Sequence, residues 1–177
     1  MIVNNPTEVG LHKLVTALIS KTNFKPKWFI CVHYKTNKSS RHNFEDYQFH
    51  VKSETDTISK VERNFRHFKN LLLCKTYNVT SRNKIKCNKF RFLHFYELGE
   101  AKYNYHSHIV IEDIPKHPTL EDVKGLLKAV QLRHPDIENS EIAIDVRLIY
   151  SNDWLSYVLK TATQSFTPLD IHNSDID

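Results

Sequence analysis

The pattern of apolar and polar positions along the chain predicts an alternation of helices and strands. Apolar residues that recur every three to four positions indicate helices, and apolar residues at every second position indicate strands. Partial alternation at 44–53 predicts a short strand or extended edge. The other predicted elements are a helix from Pro6 to the break at 23–27, a strand at 28–34, a helix at 54–77, strands at 90–98 and 103–111, a helix at 119–134, a strand at 142–149 and a helix that begins at Ser151 or Asn152.

Without its first and last helices and the uncertain element at 44–53, this order is βαββαβ, the split βαβ plan of ferredoxin-like and RRM-like domains. The plan predicts an α+β fold, in which an antiparallel sheet has helices on one face and a site on the other. At 177 residues the chain fits one domain, which we assign to 1–165. The pattern is lost from residue 166, so 166–177 is predicted to be a flexible C-terminal tail.

Composition narrows the class of protein. The chain has three glycines and no GxGxxG or GxxxxGK[ST] motif, which disfavours nucleotide-loop enzymes. Cys31, Cys74 and Cys87 are far apart, so we expect a reduced, intracellular protein, and nothing in their spacing recommends a zinc site beside His106. No apolar run reaches membrane-spanning length, so a soluble protein without a membrane partner is expected. The net charge of +5 permits nucleic acid as a partner.

The predicted strand at 103–111 carries two histidines on one face. Side chains of an extended chain alternate, so His106 and His108 point to one side and Ser107 to the other. Two neutral imidazoles held this way can direct nitrogen ligands at one cation. The ordinary alternative is a pair of half-exposed strand histidines.

The preceding strand supplies a carboxylate. Glu97 closes that strand across a short hairpin, so it can complete a set of two nitrogens and one oxygen that leaves positions open for substrate oxygens. Glu100 and Glu112 are alternatives, but Glu112 lies roughly 13 Å along the strand from His108 at ~3.3 Å per residue. A solvated carboxylate at a strand end is the ordinary reading of Glu97.

The last predicted helix carries Tyr157 and Lys160 at i and i+3, which are neighbouring positions on a helix surface. A nearby ammonium and a metal ion would both favour the phenolate, the nucleophilic form of tyrosine. Such pairs are common on helices, so this one gains weight only from the motifs that accompany it.

Three motifs follow one another along the chain. They are WFICVHY at 28–34, His106-Ser107-His108, and YVLK at 157–160. In this order they resemble the motifs of HUH endonucleases of the rolling-circle replication initiator (Rep) type, over roughly residues 27–162. Ser107 departs from the apolar residue usual in that family. Tyr150 does not have the spacing to Tyr157 of the two-tyrosine initiators, so the chain resembles the single-tyrosine members.

The resemblance implies that the protein nicks and joins single-stranded DNA at a hairpin replication origin of a plasmid, phage or small virus. His106, His108 and Glu97 would hold Mn²⁺ or Mg²⁺. Tyr157 would attack the phosphate, leaving a 5′-phosphotyrosine, and Lys160 would stabilise charge. A helicase, supplied in trans or by a missing C-terminal domain, is an implied partner. The cytoplasm of a prokaryotic host, or the nucleus of a eukaryotic one, is the implied location.

Basic and aromatic side chains are candidate DNA contacts, with a solvated helix face as the ordinary alternative for the basic ones. The candidates for tracking phosphates are Lys60, Arg63, Arg66, Lys69, Arg82, Lys84 and Lys86, and those for stacking on bases are Tyr34, Tyr103 and Tyr105.

Two alternatives for the function remain open. A non-catalytic RRM-like nucleic-acid module has the same plan, although the strands at 27–34 and 90–98 lack the aromatic and basic pattern of RNA recognition. An HUH transposase or relaxase would keep the chemistry and change the biology. Lys160 and the single His-x-His motif favour replication initiation over these two.

Overall fold

A computed structural model describes residues 6–35, 47–85, 89–98, 105–151, 153–159, 169–170 and 173–175. In chain order its helices and strands are α1 (Pro6–Thr22), β1 (Trp28–His33), α2 (Tyr47–Thr76), β2 (Phe92–Leu98), β3 (Tyr105–Ile111), α3 (Leu120–Gln131), β4 (Ile144–Leu148) and α4 (Asp153–Leu159). The strand or extended edge predicted at 44–53 was wrong, because α2 already begins at Tyr47. In the sequence, Tyr47, Val51 and Ile58 are separated by four and seven positions, a spacing that suits a helix as well as the partial alternation suited a strand.

The four strands form one sheet in the order β2-β3-β1-β4, and all neighbours are antiparallel. This is an arrangement of the split βαβ type, so the predicted α+β fold is confirmed. Directly opposed residues of antiparallel strands share a face of the sheet. The register places Cys31 opposite His108 on one side of β3 and Glu97 opposite His106 on the other.

Helices cover one face of the sheet fully and the other in part. Ile30 and Ile109 of the first face pack with Phe65 of α2 and Leu127 of α3 in the larger core cluster. The opposite face carries His106 and His108, and its apolar residues pack in a second cluster with α1 and α4. The members of this second cluster from β2, β3, α1 and α4 are Leu93, Phe95, Val110, Val15, Trp154, Leu155, Val158 and Leu159.

Local sequence sets several helix boundaries. Thr119 and Asp122 form a reciprocal capping box at the start of α3, where the Asp122 amide donates to Thr119 Oγ1 at 3.2 Å. After α1 and α2, Asn23 and Asn78 adopt positive φ angles of 51° and 53°, a left-handed turn that ends a helix. None of the helices in the described ranges is long and apolar enough to cross a membrane.

The described residues of the C-terminal segment are packed against β2, which corrects the expectation of a flexible tail from residue 166. Leu169 forms an antiparallel bridge with Phe95. The amide of Asp170 donates to the carbonyl oxygen of His94 at 2.9 Å. Because β2 lies at the edge of the sheet, it has backbone groups that an adjoining segment can pair with. The loss of sequence periodicity after 166 therefore did not mean a loss of packing.

Candidate functional site

The three predicted metal ligands meet on the second face of the sheet. His106 Nε2 lies 2.9 Å from Glu97 Oε2, and His108 Nε2 contacts the same oxygen. The β2–β3 register produces this meeting, because it sets Glu97 opposite His106. The side chain of His108 is 1% exposed, whereas those of His106 and Glu97 are 12% and 11% exposed. The cluster therefore runs from the interior to the protein surface.

The chemistry of this donor set suits a divalent cation. Two imidazole nitrogens and one carboxylate oxygen already converge on one point. Burying a carboxylate is costly unless it is paired, and a cation among the three groups would provide that pairing. Imidazole and carboxylate together suit ions of the Mn²⁺ and Zn²⁺ kind. Three protein ligands would leave further coordination positions for water or substrate.

Tyr157 lies beside this cluster. Its ring packs edge-on against the His108 ring, with the centroids 5.2 Å apart, and also contacts Phe29 at 6.0 Å. Phe29 in turn stacks on His108 at 5.2 Å. The opposite side of α4 holds the helix in the core through Trp154, Leu155, Val158 and Leu159. Tyr157 remains 47% exposed, so a ligand arriving from solvent can reach it.

Strand β1 adds two ligand-type side chains that sequence reasoning missed. The sulfur of Cys31 and the ring nitrogens of His106 and His108 lie within 4.8 Å of one another. His33 stacks on His106 with the ring centroids 4.8 Å apart. The spacing of the cysteines in the sequence had given no reason to place one beside His106, and the structure brings Cys31 there. Two observations together locate these side chains. Alternation along β1 puts residues 29, 31 and 33 on one face, and the strand order makes β1 the neighbour of β3.

Strand β4 adds a cation to the same face. Arg147 is opposite Phe29 in the β1–β4 pairing, and Phe29 contacts both His108 and Tyr157. The Arg147 Nε–H donates to Asp145 Oδ2 at 2.8 Å, and the Arg147 side chain is 75% exposed. An exposed guanidinium at this position suits a phosphate group that approaches Tyr157.

Among the described residues, the basic ones predicted to track phosphates do not join this site. Tyr96 points away from the histidine face, and its hydroxyl donates to Glu62 of α2 at 2.8 Å. Helix α2 therefore lies on the other face of the sheet, and the exposed Arg63 and Arg66 lie there with it. Lys84 is exposed after α2 and donates to Thr80 Oγ1 at 3.1 Å.

Two other predicted DNA contacts are corrected by burial. Lys69 is 6% exposed, and its ammonium donates to Asp175 Oδ1 at 2.6 Å, so it fixes the C-terminal segment rather than a phosphate. Tyr34 is 7% exposed with its hydroxyl 3.2 Å from Ser107 Oγ, so its ring cannot stack on a base. Burial raises the pKa of the Tyr34 phenol above its usual range.

The remaining candidates divide between a different role and residues outside the described ranges. Glu112, the alternative ligand, forms an ion pair with Arg91 at 2.7 Å. Tyr105 begins β3, but its side chain is not described. Four further candidates lie outside the described residues: Lys86, Glu100, Tyr103 and Lys160.

Ser107, the polar residue between the two histidines, belongs to a buried hydrogen-bond chain. His94 Nε2 lies 2.7 Å from Ser107 Oγ, and His94 Nδ1 lies 2.8 Å from Asp170 Oδ2. Burial lowers the pKa of His94. Burial opposes ionisation of Asp170, but the hydrogen bonds from His94, Asn173 and Tyr96 and the proximity of His94 together lower the pKa of that carboxyl.

These two shifts describe a neutral imidazole beside an ionised carboxylate. In this state His94 Nδ1–H donates a hydrogen bond to Asp170, and His94 Nε2 accepts one from the Ser107 hydroxyl. The Tyr34 hydroxyl then donates to Ser107 Oγ. His94 and Ser107 are 0% exposed, so no substrate reaches this Ser-His-Asp arrangement. These buried hydrogen bonds join β2, β3 and the C-terminal segment beneath His106 and His108.

Comparison with known proteins gives no match to a protein family, to a curated protein or to a solved structure.

Proposed function

We propose that the protein is a metal-dependent endonuclease and strand transferase that acts on single-stranded DNA through Tyr157. The single observation that carries the proposal is the contact between Tyr157 and His108, which is also in contact with Glu97. A half-exposed phenol and a metal-ligand cluster thus lie side by side on one surface. A phosphodiester placed between them would touch both.

The chemistry follows from the positions of these residues. His106, His108 and Glu97 hold the cation, which when bound neutralises charge on the phosphate and orients it. The Tyr157 phenol oxygen attacks phosphorus, and the bond to the 3′-oxygen breaks. The phenol proton is lost, and the departing 3′-oxygen gains one. The product is a 5′-phosphotyrosine with a free 3′-hydroxyl. One phosphate ester bond forms for each one that breaks, so the phosphate remains a diester between Tyr157 and the DNA. The reaction can therefore run in reverse and join strands.

Two features of the site refine the substrate and the metal. The exposed Arg147 on the same face is suited to a phosphate of the DNA backbone, whose contacts position the strand without reading its sequence. The mixed nitrogen and oxygen ligands favour Mn²⁺ over Mg²⁺, since Mg²⁺ prefers an all-oxygen shell. From the resemblance of the motifs we further propose that the DNA is a hairpin replication origin and that a helicase is a partner. On the same basis, Lys160 is a second residue that stabilises charge.

The test is incubation of the protein with a mixed pool of single-stranded DNA and Mn²⁺, followed by a denaturing gel for protein–DNA conjugates. The proposal expects a conjugate that depends on Mn²⁺ and is absent from Tyr157→Phe. Sequencing of the trapped DNA ends would give the nick site. Metal-independent DNA binding without any conjugate would instead support the non-catalytic nucleic-acid module.

A further inference from the structure

Strand β1 places Cys31 and His33 directly beside the two histidines of β3. The register pairs Cys31 with His108 and His33 with His106. The Cys31 sulfur lies within 4.8 Å of a ring nitrogen of each β3 histidine and 3.4 Å from His33 Nε2. With Glu97 on the other side of β3, three adjacent strands contribute metal-ligand groups to one face.

The spacing of these groups is close to that of a tetrahedral zinc site. Zn–S and Zn–N bonds near 2.3 and 2.05 Å put tetrahedral donor atoms about 3.5 Å apart. The donor atoms of Cys31, His106 and His108, which lie within 4.8 Å of one another, therefore need to close by little more than about 1 Å. Side-chain rotation on paired strands can supply that movement.

We infer that the site has a second, closed metal-binding mode, in which Cys31, His106, His108 and Glu97 together bind a thiophilic divalent ion of the Zn²⁺ class. The thiol loses its proton to solvent and binds as a thiolate. A soft thiolate selects Zn²⁺ over Mn²⁺, and the Irving–Williams order favours Zn²⁺ further. Four protein ligands fill a tetrahedral shell, as in structural zinc sites.

The functional consequence rests on the proposed function. In the open mode, two histidines and Glu97 leave positions for a phosphate, whereas in the closed mode Cys31 takes the remaining tetrahedral position. Zn²⁺ is therefore an inhibitor of the Mn²⁺-dependent reaction, and Cys31 is the residue that makes it one. The metal-binding part of the inference stands without any DNA chemistry.

Titration with Co²⁺, a spectroscopic substitute for Zn²⁺, tests the closed mode directly. The unmodified protein should show the thiolate-to-Co²⁺ charge-transfer absorption, and Cys31→Ser should not. Affinity for Co²⁺ and Zn²⁺ should fall at least about 10- to 100-fold in Cys31→Ser, and affinity for Mn²⁺ should fall much less, because Mn²⁺ gains little from a thiolate ligand. Cys74→Ser, which alters another half-buried cysteine on α2, is the matched control and should keep the band.

Each outcome decides the inference. Absence of the band in the unmodified protein, or its persistence in Cys31→Ser, overturns it. Cys31→Ala provides a second variant in case Cys31→Ser fails to fold, which circular dichroism would reveal.

Activity assays separate the inference from the proposed function. A Mn²⁺-dependent DNA conjugate without a charge-transfer band would support the endonuclease and contradict the closed mode. A charge-transfer band in a protein that never forms a DNA conjugate would support the closed mode and contradict the endonuclease. When both hold, Zn²⁺ should suppress conjugate formation by the unmodified protein and much less so by Cys31→Ser.

Discussion

The Tyr157 ring packs edge-on against the His108 ring with the centroids 5.2 Å apart. One of these residues lies on α4 and the other on β3, so the fold brings a potential nucleophile to a potential metal ligand. Phe29 contacts both rings and fills the space between the helix and the sheet. The relationship predicts which changes should affect chemistry and which should affect only stability.

Replacing Tyr157 with Phe should abolish the covalent DNA conjugate and leave the fold intact. Phe keeps the ring contacts with His108 and Phe29 and removes only the attacking oxygen. The free energy of unfolding should change by no more than about 1.5 kcal/mol, the most that the loss of one typical hydrogen bond of the hydroxyl costs. A gel assay with a labelled oligonucleotide measures the conjugate and chemical denaturation measures stability. Undiminished conjugate in this variant would remove Tyr157 from the mechanism.

Replacing Glu97 with Gln should weaken Mn²⁺ binding at least about 10- to 100-fold, since loss of a ligand costs no less than loss of an outer-shell partner. The change keeps the size of the side chain and removes its charge. Glu112→Gln is the control, because Glu112 pairs with Arg91 and should alter stability but not metal affinity. Mn²⁺ binding can be followed by electron paramagnetic resonance. Equal affinities in the two variants would point to Glu100 as the next candidate ligand.

Replacing Arg147 with Ala should weaken binding of single-stranded DNA and lower the salt dependence of the binding constant by about one unit of slope. Arg66→Ala should leave that slope unchanged, because Arg66 lies on α2 on the other side of the sheet. Fluorescence anisotropy over a range of salt concentrations distinguishes the two. The reverse order of effects would place the DNA on the α2 side and argue against the proposed site.

Replacing Asp170 with Asn should destabilise the fold by about 1.5–3 kcal/mol, the range for a buried hydrogen bond to a charged group. Asp170 is 2% exposed and accepts hydrogen bonds from His94 and Asn173. Asp113→Asn is the matched control at a 67% exposed ion pair, and a change below about 1 kcal/mol is expected there. Urea denaturation of both variants gives the comparison. If Asp170→Asn left the free energy of unfolding unchanged, the C-terminal segment would be a flexible tail after all.

Stability should decrease as the pH falls below the ordinary histidine pKa of about 6.5. Burial lowers the pKa of His94 and of His134, so each stays neutral in the fold while the unfolded chain takes up protons. Below pH 6.5 the chain therefore takes up protons when it unfolds. The free energy of unfolding accordingly rises with pH until about 6.5 and then levels off. Urea denaturation between pH 5.5 and 7.5 measures the slope, and His134→Gln should reduce it. A slope that is flat or of opposite sign would contradict the buried neutral state.

Local patterns in the sequence were sufficient for the two faces of β3 and for the elements other than the first part of α2, which was expected to be extended. Alternation separates His106 and His108 from Ile109, and the structure puts these residues on opposite faces of the sheet. Helix starts such as the Thr119 cap depend on neighbouring residues alone. The βαββαβ order then limited the sheet to very few arrangements, which is why the fold class was predictable.

Burial was much less predictable than secondary structure. Tyr34 and Lys69 were expected at the surface and are 7% and 6% exposed. Each is held by a partner far along the chain, Ser107 for Tyr34 and Asp175 for Lys69. A tyrosine or lysine has an apolar body and a polar end, so its composition permits either location, and only the position of the partner decides between them.

The sequence by itself determined most of the elements, the order of the motifs and the paired orientation of His106 and His108, because periodicity is a property of adjacent residues. The tertiary structure alone decided that Cys31 and Arg147 share their face and that Tyr157 contacts His108. These contacts join residues that are far apart in the chain. They depend on strand register and helix placement, which are set by the packing of the whole core rather than by any local stretch.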